Sequence, residues 1–113
     1  MDEKQLEHIR QIADYYGYKR QINKAIEECG ELIQRLAKYN GLLMGDASVD
    51  KTEAIINITD EIADVFICIK QIAYLLKIED PVKGFIDYKI TRQLDRIVDE
   101  KLYGKDRSEQ SEL

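Results

Sequence analysis

Apolar residues recur along this chain with the period of an α-helix, most clearly over residues 52–78. They form two stripes on roughly opposite sides of the segment, and polar residues fall in the groove between the stripes. A helix that is apolar on two sides is enclosed on two sides, so the pattern predicts a central helix. One stripe comprises Ile55, Ile58, Ile62, Val65, Ile69, Ile72 and Leu76, the other comprises Ile56, Ala63, Ile67 and Tyr74, and the groove holds Asn57, Asp60, Glu61, Asp64 and Gln71.

The same period predicts three further helices, each bounded by capping or turn residues. The first runs from an N-cap at Asp2 to about residue 16, the second covers about residues 19–40, and the fourth covers about residues 81–103. The segment 41–50 is left as the longest internal loop. The boundary signals are Gly17, Gly41, the capping box formed by Asp50 and Glu53, and the cap and first-turn proline formed by Asp80 and Pro81.

Four helices joined by short turns predict an all-α fold, namely an antiparallel four-helix bundle. The second and fourth helices are expected to turn an apolar face inward. Unless the first helix or the loop covers it, the second stripe of the central helix has no partner in one copy, so we expect a homodimer or tetramer. The predicted inward residues are Ile22, Ala25, Ile26, Cys29, Leu32, Ile33 and Leu36 on the second helix, and Ile86, Ile90, Leu94, Ile97 and Val98 on the fourth.

Length and charge narrow the class of protein. The 113 residues are expected to form one domain over residues 1–104, followed by a polar, disordered tail at residues 105–113. The net charge of −5 argues against general binding to nucleic acid or to an anionic membrane. A charged amino terminus and the lack of a long uncharged apolar run predict a cytoplasmic protein. Cys29 and Cys68 are expected to be reduced and half-buried.

Acidic residues are concentrated on two consecutive predicted helices. On the second helix Glu28 and Glu31 lie three residues apart, and on the central helix Glu61 and Asp64 do the same, so each pair can share one helical face. Facing helices would gather four carboxylates into one pocket. Hard divalent ions such as Mg²⁺ prefer this arrangement, because their ligands are oxygen atoms, several of them anionic.

An ordinary salt-bridged surface is the alternative interpretation of these acids. Lys24 and Arg35 each lie four residues from a glutamate of the second helix, the spacing of helical ion pairs. The central helix favours the metal, since Glu61 and Asp64 have no lysine or arginine three or four residues away. A helical di-iron site is not predicted, because its Glu-x-x-His pairs are absent.

Basic residues lie along one side of the predicted fourth helix. Lys89, Arg92 and Arg96 carry like charges at close helical spacing, and these repel each other unless an anion is present. Phosphate groups are one candidate for that anion. A solvated basic face paired with acids of the same helix is the other candidate, and this helix alone favours neither.

The two acidic segments together resemble a known family. EECGELI, which begins at Glu27, followed by DEIADVF, which begins at Asp60, is similar to the ExxE and ExxD signature of the MazG-like nucleotide pyrophosphohydrolases. The resemblance implies Mg²⁺-dependent hydrolysis of a nucleoside triphosphate to a monophosphate and pyrophosphate, with Mn²⁺ as a substitute metal. It implies that the metal ligands are Glu28, Glu31, Glu61 and Asp64, and that Lys89 and Arg92 contact phosphates.

Three further assignments complete the predicted site. A glutamate that is not fully used as a ligand, Glu27 or Glu28, is expected to take the proton of the attacking water. Arg96 and Asn57 are predicted to contact the substrate.

The expected role is maintenance of the nucleotide pool, and the rival function is a catalytically silent helical oligomerisation or interaction module with a structural cation site.

Overall fold

A computed structural model describes residues 1–104, which form four α-helices and no β-strand. The helices are α1 (Glu3–Tyr16), α2 (Tyr18–Leu43), α3 (Lys51–Leu75) and α4 (Glu79–Tyr103). The all-α prediction is confirmed, and the predicted tail at residues 105–113 lies outside the described residues. The chain divides into two compact units, Met1–Ile78 with α1 to α3 and a second unit that begins at Glu79. None of the four described helices combines the length and apolar character that a membrane-spanning segment requires.

Helix ends follow the predicted capping signals at several places. The Asp2 side chain accepts a hydrogen bond of 2.8 Å from the Gln5 backbone N–H, and the Gln5 side chain accepts one of 3.0 Å from the Asp2 N–H. This reciprocal pair fixes the start of α1. Gly17 follows α1 with a φ of 81°, a conformation that glycine adopts without strain. Before α3, the Asp50 side chain accepts a hydrogen bond of 3.2 Å from the Glu53 N–H.

The predicted end of α2 at Gly41 is wrong. The helix continues to Leu43, and the chain turns at Gly45, whose φ is 104°. A glycine inside a helix costs only about 1 kcal/mol relative to alanine, so Gly41 does not have to end the helix. The next residue, Leu42, is half-buried, and its packing favours continuing the helix past Gly41. In the shortened loop the Asp46 side chain accepts hydrogen bonds from the Ser48 hydroxyl and backbone N–H, which lower the pKa of Asp46.

α2 and α3 pack side by side as an antiparallel pair. Near the start of α2, the Gln21 side chain donates a hydrogen bond of 2.6 Å to the side-chain oxygen of Gln71, near the end of α3. Further along α2, Arg35 donates one of 3.3 Å to the backbone carbonyl of Asn57, which lies earlier on α3. A residue later in α2 therefore contacts a residue earlier in α3, so the two helices are antiparallel.

α1 completes the first unit by packing against this pair. Its side chains Ile9 and Ala13 are buried. On the same helix the Asp14 carboxylate accepts a hydrogen bond of 2.8 Å from the Tyr74 hydroxyl of α3. The first unit is thus a three-helix assembly in which α1 covers part of the longer α2–α3 pair.

The buried surface between α2 and α3, here called the seam, is only in part the aliphatic face that the sequence pattern predicted. Ala25 and Val65, both predicted to point inward, are buried. Ile26 and Ile33, predicted to point inward, are each 67% exposed, and Ile69 is 51% exposed. Small and polar side chains occupy the seam instead, and small residues let two helices approach closely. The buried residues of the two helices are Gln21, Ala25, Glu28, Ala54, Glu61, Val65, Cys68, Gln71 and Ala73.

The two cysteines differ from the expectation that both are half-buried. Cys29 is exposed on α2, and Cys68 is buried in the seam on α3; both are free thiols. Burial, followed by the negative charge of Glu28, raises the pKa of the Cys68 thiol. Cys68 therefore behaves as a small packing residue of the seam, since its reactive thiolate form is disfavoured.

The second unit contains α4, none of whose residues is buried in the chain. The five aliphatic residues predicted to point inward are all between 46% and 58% exposed. The inward prediction is therefore wrong for a single copy, because the helical period shows which residues share a face and does not determine what covers that face. These residues are Ile86, Ile90, Leu94, Ile97 and Val98.

Candidate metal centre

Carboxylates from α2 and α3 converge at the middle of the seam. Glu28, Glu31 and Glu61 place carboxylate oxygens within 4.8 Å of one another. Asp60, Glu61 and Asp64 form a second group that meets the same distance limit. Since Glu61 belongs to both groups, the four acids of the two sequence motifs lie around a shared carboxylate, and Asp60 joins them as a fifth acid.

Two of these carboxylates are withdrawn from solvent. Glu61 is 1% exposed and Glu28 is 8% exposed. Among the described residues, no hydrogen-bond partner reaches Glu61 Oε1 or Glu28 Oε2, and both atoms are buried. A buried carboxylate oxygen without a partner is unfavourable, so a proton or a cation is required to compensate it. Both residues belong to the group that includes Glu31, which identifies this group as the centre of the site.

The electrostatic field of the cluster acts most strongly on Glu61. The neighbouring Glu28 carboxyl, burial and the Glu31 carboxyl together raise the pKa of Glu61 from 4.5 to about 8. Crowded carboxylates disfavour ionisation of one another, and withdrawal from water has the same effect. In the metal-free chain Glu61 therefore holds a proton at neutral pH, which a divalent cation would displace.

Two cations lie at the edge of the cluster. The Lys24 ammonium is 3.6 Å from Glu28 Oε1, which confirms the i, i+4 pair suggested by the sequence. Arg35 is different, because its Nε lies 3.9 Å from Glu61 Oε2 on the other helix. Sequence reasoning missed this contact, since it considered Arg35 only with Glu31 of the same helix. The contact could have been predicted by aligning the two acidic motifs on antiparallel helices. In that alignment the helical turn after Glu31 lies beside the helical turn before Glu61.

The donor set suits a hard divalent cation. Both groups consist of carboxylates alone, and they combine buried oxygens that lack partners with the half-buried Glu31 and Asp64. Mg²⁺ and Mn²⁺ prefer oxygen ligands, and Mg²⁺ is usually bound by one or two carboxylates, with water and phosphate oxygens completing its shell. The residues present therefore fit the metal that the sequence motifs imply.

The other sequence-predicted residues lie in different surroundings. Glu27 is exposed on α2 and belongs to neither carboxylate group. Asn57 is half-buried, and its backbone carbonyl accepts the hydrogen bond from Arg35. Three basic residues of α4 are exposed in the second unit, and Arg92 lies over the Tyr88 ring, 5.7 Å from its centroid. These basic residues are Lys89, Arg92 and Arg96.

A cavity of about 240 Å³ adjoins the acidic cluster, and sequence reasoning did not predict it. Asp64 forms part of its wall, and the buried Gln21–Gln71 amide pair forms another part. Tyr16 also lines it, with the Arg20 guanidinium 4.5 Å from the ring centroid. The cavity thus combines an aromatic face, amide donors and acceptors, and positive charge beside a candidate metal ligand.

Comparison with known proteins leaves the chain without a match: no family model, no curated protein and no solved structure is similar to it at a significant level. The function of the chain therefore has to be inferred from its own residues.

Proposed function

We propose that this chain is a Mg²⁺-dependent nucleoside triphosphate pyrophosphohydrolase, which cleaves the α–β phosphoanhydride of an NTP or dNTP to give a monophosphate and pyrophosphate. The observation that supports it most is the pair of buried, partnerless oxygens, Glu61 Oε1 and Glu28 Oε2, within a five-acid cluster. The MazG-like spacing of the acids supports the reaction class. A cytoplasmic role in maintaining the nucleotide pool is part of the proposal.

The carboxylates of the seam have the task of holding the metal. Glu28 and Glu61 would bind it through their buried oxygens, and Glu31 and Asp64 would bind it from the half-exposed side of the cluster. When bound, Mg²⁺ supplies positive charge that offsets the charge of the triphosphate and acidifies the attacking water. Packing in the seam fixes the acids before substrate arrives, so little reorganisation is needed during the reaction.

A glutamate near the cluster would take the proton of the attacking water. Glu28 has Oε1 beside Lys24 and is held in the seam, whereas its neighbour Glu27 is exposed and belongs to neither carboxylate group. Glu28 and Glu27 are both proposed as the general base, because a base must be close to the water and also retain a free lone pair. Glu28→Gln would remove a ligand as well as a base, whereas Glu27→Gln would remove a base alone.

Substrate contacts are proposed for the nucleoside and for the phosphates separately. The cavity beside Asp64 offers the Tyr16 ring for stacking and the Gln21–Gln71 amides for hydrogen bonds, which suits a nucleoside. Lys89, Arg92 and Arg96 of α4 are the proposed phosphate contacts, because their positive charges suit phosphate oxygens. Asn57 is kept as a candidate contact from the groove of α3.

The direct test is product analysis on the purified full-length chain. A panel of NTPs and dNTPs is incubated with Mg²⁺, and monophosphate and pyrophosphate are quantified together. Hydrolysis in ¹⁸O-labelled water then shows which phosphorus is attacked. We expect equal amounts of the two products, loss of turnover when the metal is chelated, and recovery with Mg²⁺ or Mn²⁺.

Variants connect that activity to the cluster. Glu61→Gln is expected to abolish turnover, whereas Glu7→Gln, which removes the same charge from an exposed position on α1, leaves it unchanged. Release of orthophosphate in place of pyrophosphate would change the reaction class. Absence of turnover on every nucleotide, by folded chain with bound Mg²⁺, would contradict the enzyme proposal.

That last result would favour the second candidate, a helical oligomerisation or interaction module with a structural cation. The observation on its side is the large number of exposed aliphatic and aromatic side chains, including Ile33 and Phe66 at 67% and 56% exposure. Apolar surface of this kind marks a binding surface. An enzyme that forms a homo-oligomer accounts for the same surface, so the product analysis distinguishes the two candidates.

A further inference from the structure

Arg35 contacts the opposite helix through one hydrogen bond and one ion pair. Its Nη1 donates a hydrogen bond of 3.3 Å to the Asn57 carbonyl, and its Nε lies 3.9 Å from Glu61 Oε2. Asn57 lies one turn before Glu61 on α3, so both contacts are on the same side of that helix. The Arg35 side chain is 31% exposed, and hence partly shielded from water. The hydrogen bond to the Asn57 carbonyl therefore places the planar guanidinium beside the Glu61 carboxylate.

The two oxygens of Glu61 consequently differ. Oε2 faces the Arg35 guanidinium, whereas Oε1 is buried and lacks a partner. Glu28 shows the same division, with Oε1 near the Lys24 ammonium and Oε2 buried without a partner. Each buried glutamate therefore has one oxygen next to a cation and one oxygen free to bind a ligand within the cluster.

We infer that Arg35 is a positioning residue that makes Glu61 a one-oxygen ligand, and that it thereby makes the centre select Mg²⁺ over Ca²⁺. The inference rests on the proposed metal centre and deepens it. The guanidinium contacts the substrate in no step; it acts through Glu61.

Selection follows from the different demands of the two ions. Mg²⁺ requires compact octahedral geometry with ligands at roughly 2.0–2.1 Å, which single carboxylate oxygens and water provide. Ca²⁺ takes six to eight oxygens at roughly 2.3–2.6 Å and readily accepts both oxygens of one carboxylate. A carboxylate whose second oxygen is paired with the Arg35 guanidinium supplies the extra ligand less readily, so the larger ion loses more affinity than the smaller one.

The test measures metal binding to the full chain without substrate. Free Mn²⁺ is counted by its EPR signal, and Mg²⁺ and Ca²⁺ affinities are obtained from their displacement of bound Mn²⁺. Arg35→Met is expected to reduce the ratio of Mg²⁺ to Ca²⁺ affinity by about tenfold or more, the size of effect known for residues that orient metal ligands. Arg35→Lys keeps the charge and loses the forked donor, so a smaller reduction in the same direction is expected.

Lys38→Met is the matched control, because it removes one positive charge from an exposed position on the same helix. Its ratio should equal that of the wild type. Far-ultraviolet circular dichroism checks that each variant keeps its helices, and Arg35→Lys carries the test if Arg35→Met does not fold. An unchanged ratio in the folded Arg35 variant overturns the inference while leaving the metal centre intact. Failure of the wild type to bind Mn²⁺ overturns the centre itself, and the role of Arg35 with it.

Discussion

Glu61 is the residue at which the two helices of the candidate centre meet. It is the most deeply buried of the five acids, and it is common to both carboxylate groups. Its raised pKa and its partnerless Oε1 have the same cause, since the fold places it among other carboxylates and away from water. A residue held in this way stabilises a bound cation and is unfavourable in its ionised form when the cation is removed.

The pH dependence of stability follows from the pKa of Glu61. In the folded chain that pKa is about 8, against an ordinary value of 4.5. Between these values the folded chain keeps a proton that the unfolded chain has lost, so stability falls as the pH rises through this window. We expect the melting temperature in chelating buffer to be lower at the alkaline end than at the acidic end.

Glu61→Gln should remove most of that slope, because glutamine does not titrate. Glu7→Gln is the matched control, since it makes the same substitution at an exposed position on α1 outside the cluster and should keep the slope. Melting curves recorded across the pH range check both variants. A wild-type slope retained in Glu61→Gln would show that another group is responsible.

Removal of a ligand should separate metal binding from folding. Asp64→Asn takes one carboxylate out of the cluster, so repulsion in the metal-free chain decreases. We expect an equal or higher melting temperature in chelating buffer, together with loss of activity and of the rise in melting temperature that Mg²⁺ causes in the wild type. A large loss of stability without metal would instead make Asp64 a structural residue.

At the scale of elements, the antiparallel α2–α3 pair brings the site together. Its seam contains small side chains and polar groups, and the acids lie between the Gln21–Gln71 contact and the Arg35–Asn57 contact. These two contacts link the helices on either side of the acids and set their register. A shift of one helix along the other would separate Glu28 from Glu61, so metal binding requires this register between α2 and α3.

The glutamine pair should behave as a buried hydrogen-bonded unit. Gln71→Leu leaves the Gln21 amide buried without its partner, so we expect unfolding free energy to fall by about 1–3 kcal/mol. Replacing both glutamines by leucine removes the unpaired group, and much of the loss should be recovered. Urea unfolding of the two single variants and the double variant measures the coupling. Gln34→Leu, at an exposed position on α2, serves as the control.

The proposed role of α4 is to bind phosphate. Arg92→Ala should weaken nucleotide binding, because a cation that pairs with phosphate is lost, while Mn²⁺ affinity without nucleotide stays unchanged. Calorimetric titration with a non-hydrolysable nucleotide measures the first quantity and EPR the second. Lys101→Ala, in the last turn of the same helix, is the control. Unchanged nucleotide affinity in Arg92→Ala would remove that residue from the proposed site.

For the whole molecule, the main feature is the amount of apolar surface that one copy leaves exposed. The exposed face of α2 includes Ile26, Ile33 and Leu36, and that of α3 includes Ile62 and Ile69. Full burial of such a side chain from water is worth roughly 1.5–3 kcal/mol, and covering the part that one copy leaves exposed contributes a fraction of that for each residue. Symmetric association of identical copies is the commonest way to cover such faces.

We therefore expect a dimer or tetramer in solution. Light scattering coupled to size-exclusion chromatography measures its mass directly. Ile33→Lys should dissociate it, because a lysine in an apolar interface buries an unpaired charge. Gln34→Lys places the same charge at the next, polar position and should leave the mass unchanged. A monomeric wild type at micromolar concentration would contradict this expectation.

Much of the local structure could be predicted from the sequence. The number of helices, the cap at Asp2, the stop at Gly17 and the start of α3 after Asp50 all follow from short-range signals, and the structure has each of them. Such signals depend on neighbours within one turn, so they are present in the sequence itself. The end of α2 was mispredicted because a lone glycine permits a helix end without requiring one.

The candidate site was predictable in its residue types and only partly in its surroundings. Glu28, Glu31, Glu61 and Asp64 follow from spacing along two helices, since spacing determines which side chains share a face. The contact of Arg35 with Glu61, and the cavity beside Asp64, depend on register between helices that are distant in the sequence.

By itself, then, the sequence determined four helices, most of their ends and the two pairs of acids, because each depends on interactions within a turn or two of backbone. Only the tertiary structure decided which face of each helix is buried. The helical period marks an apolar face for Ile26 and Ile33, yet the seam formed on the side that carries Glu28, where small neighbours allow close packing. That choice is a property of two helices packed together, and it placed the acids in the seam and left the aliphatic faces exposed.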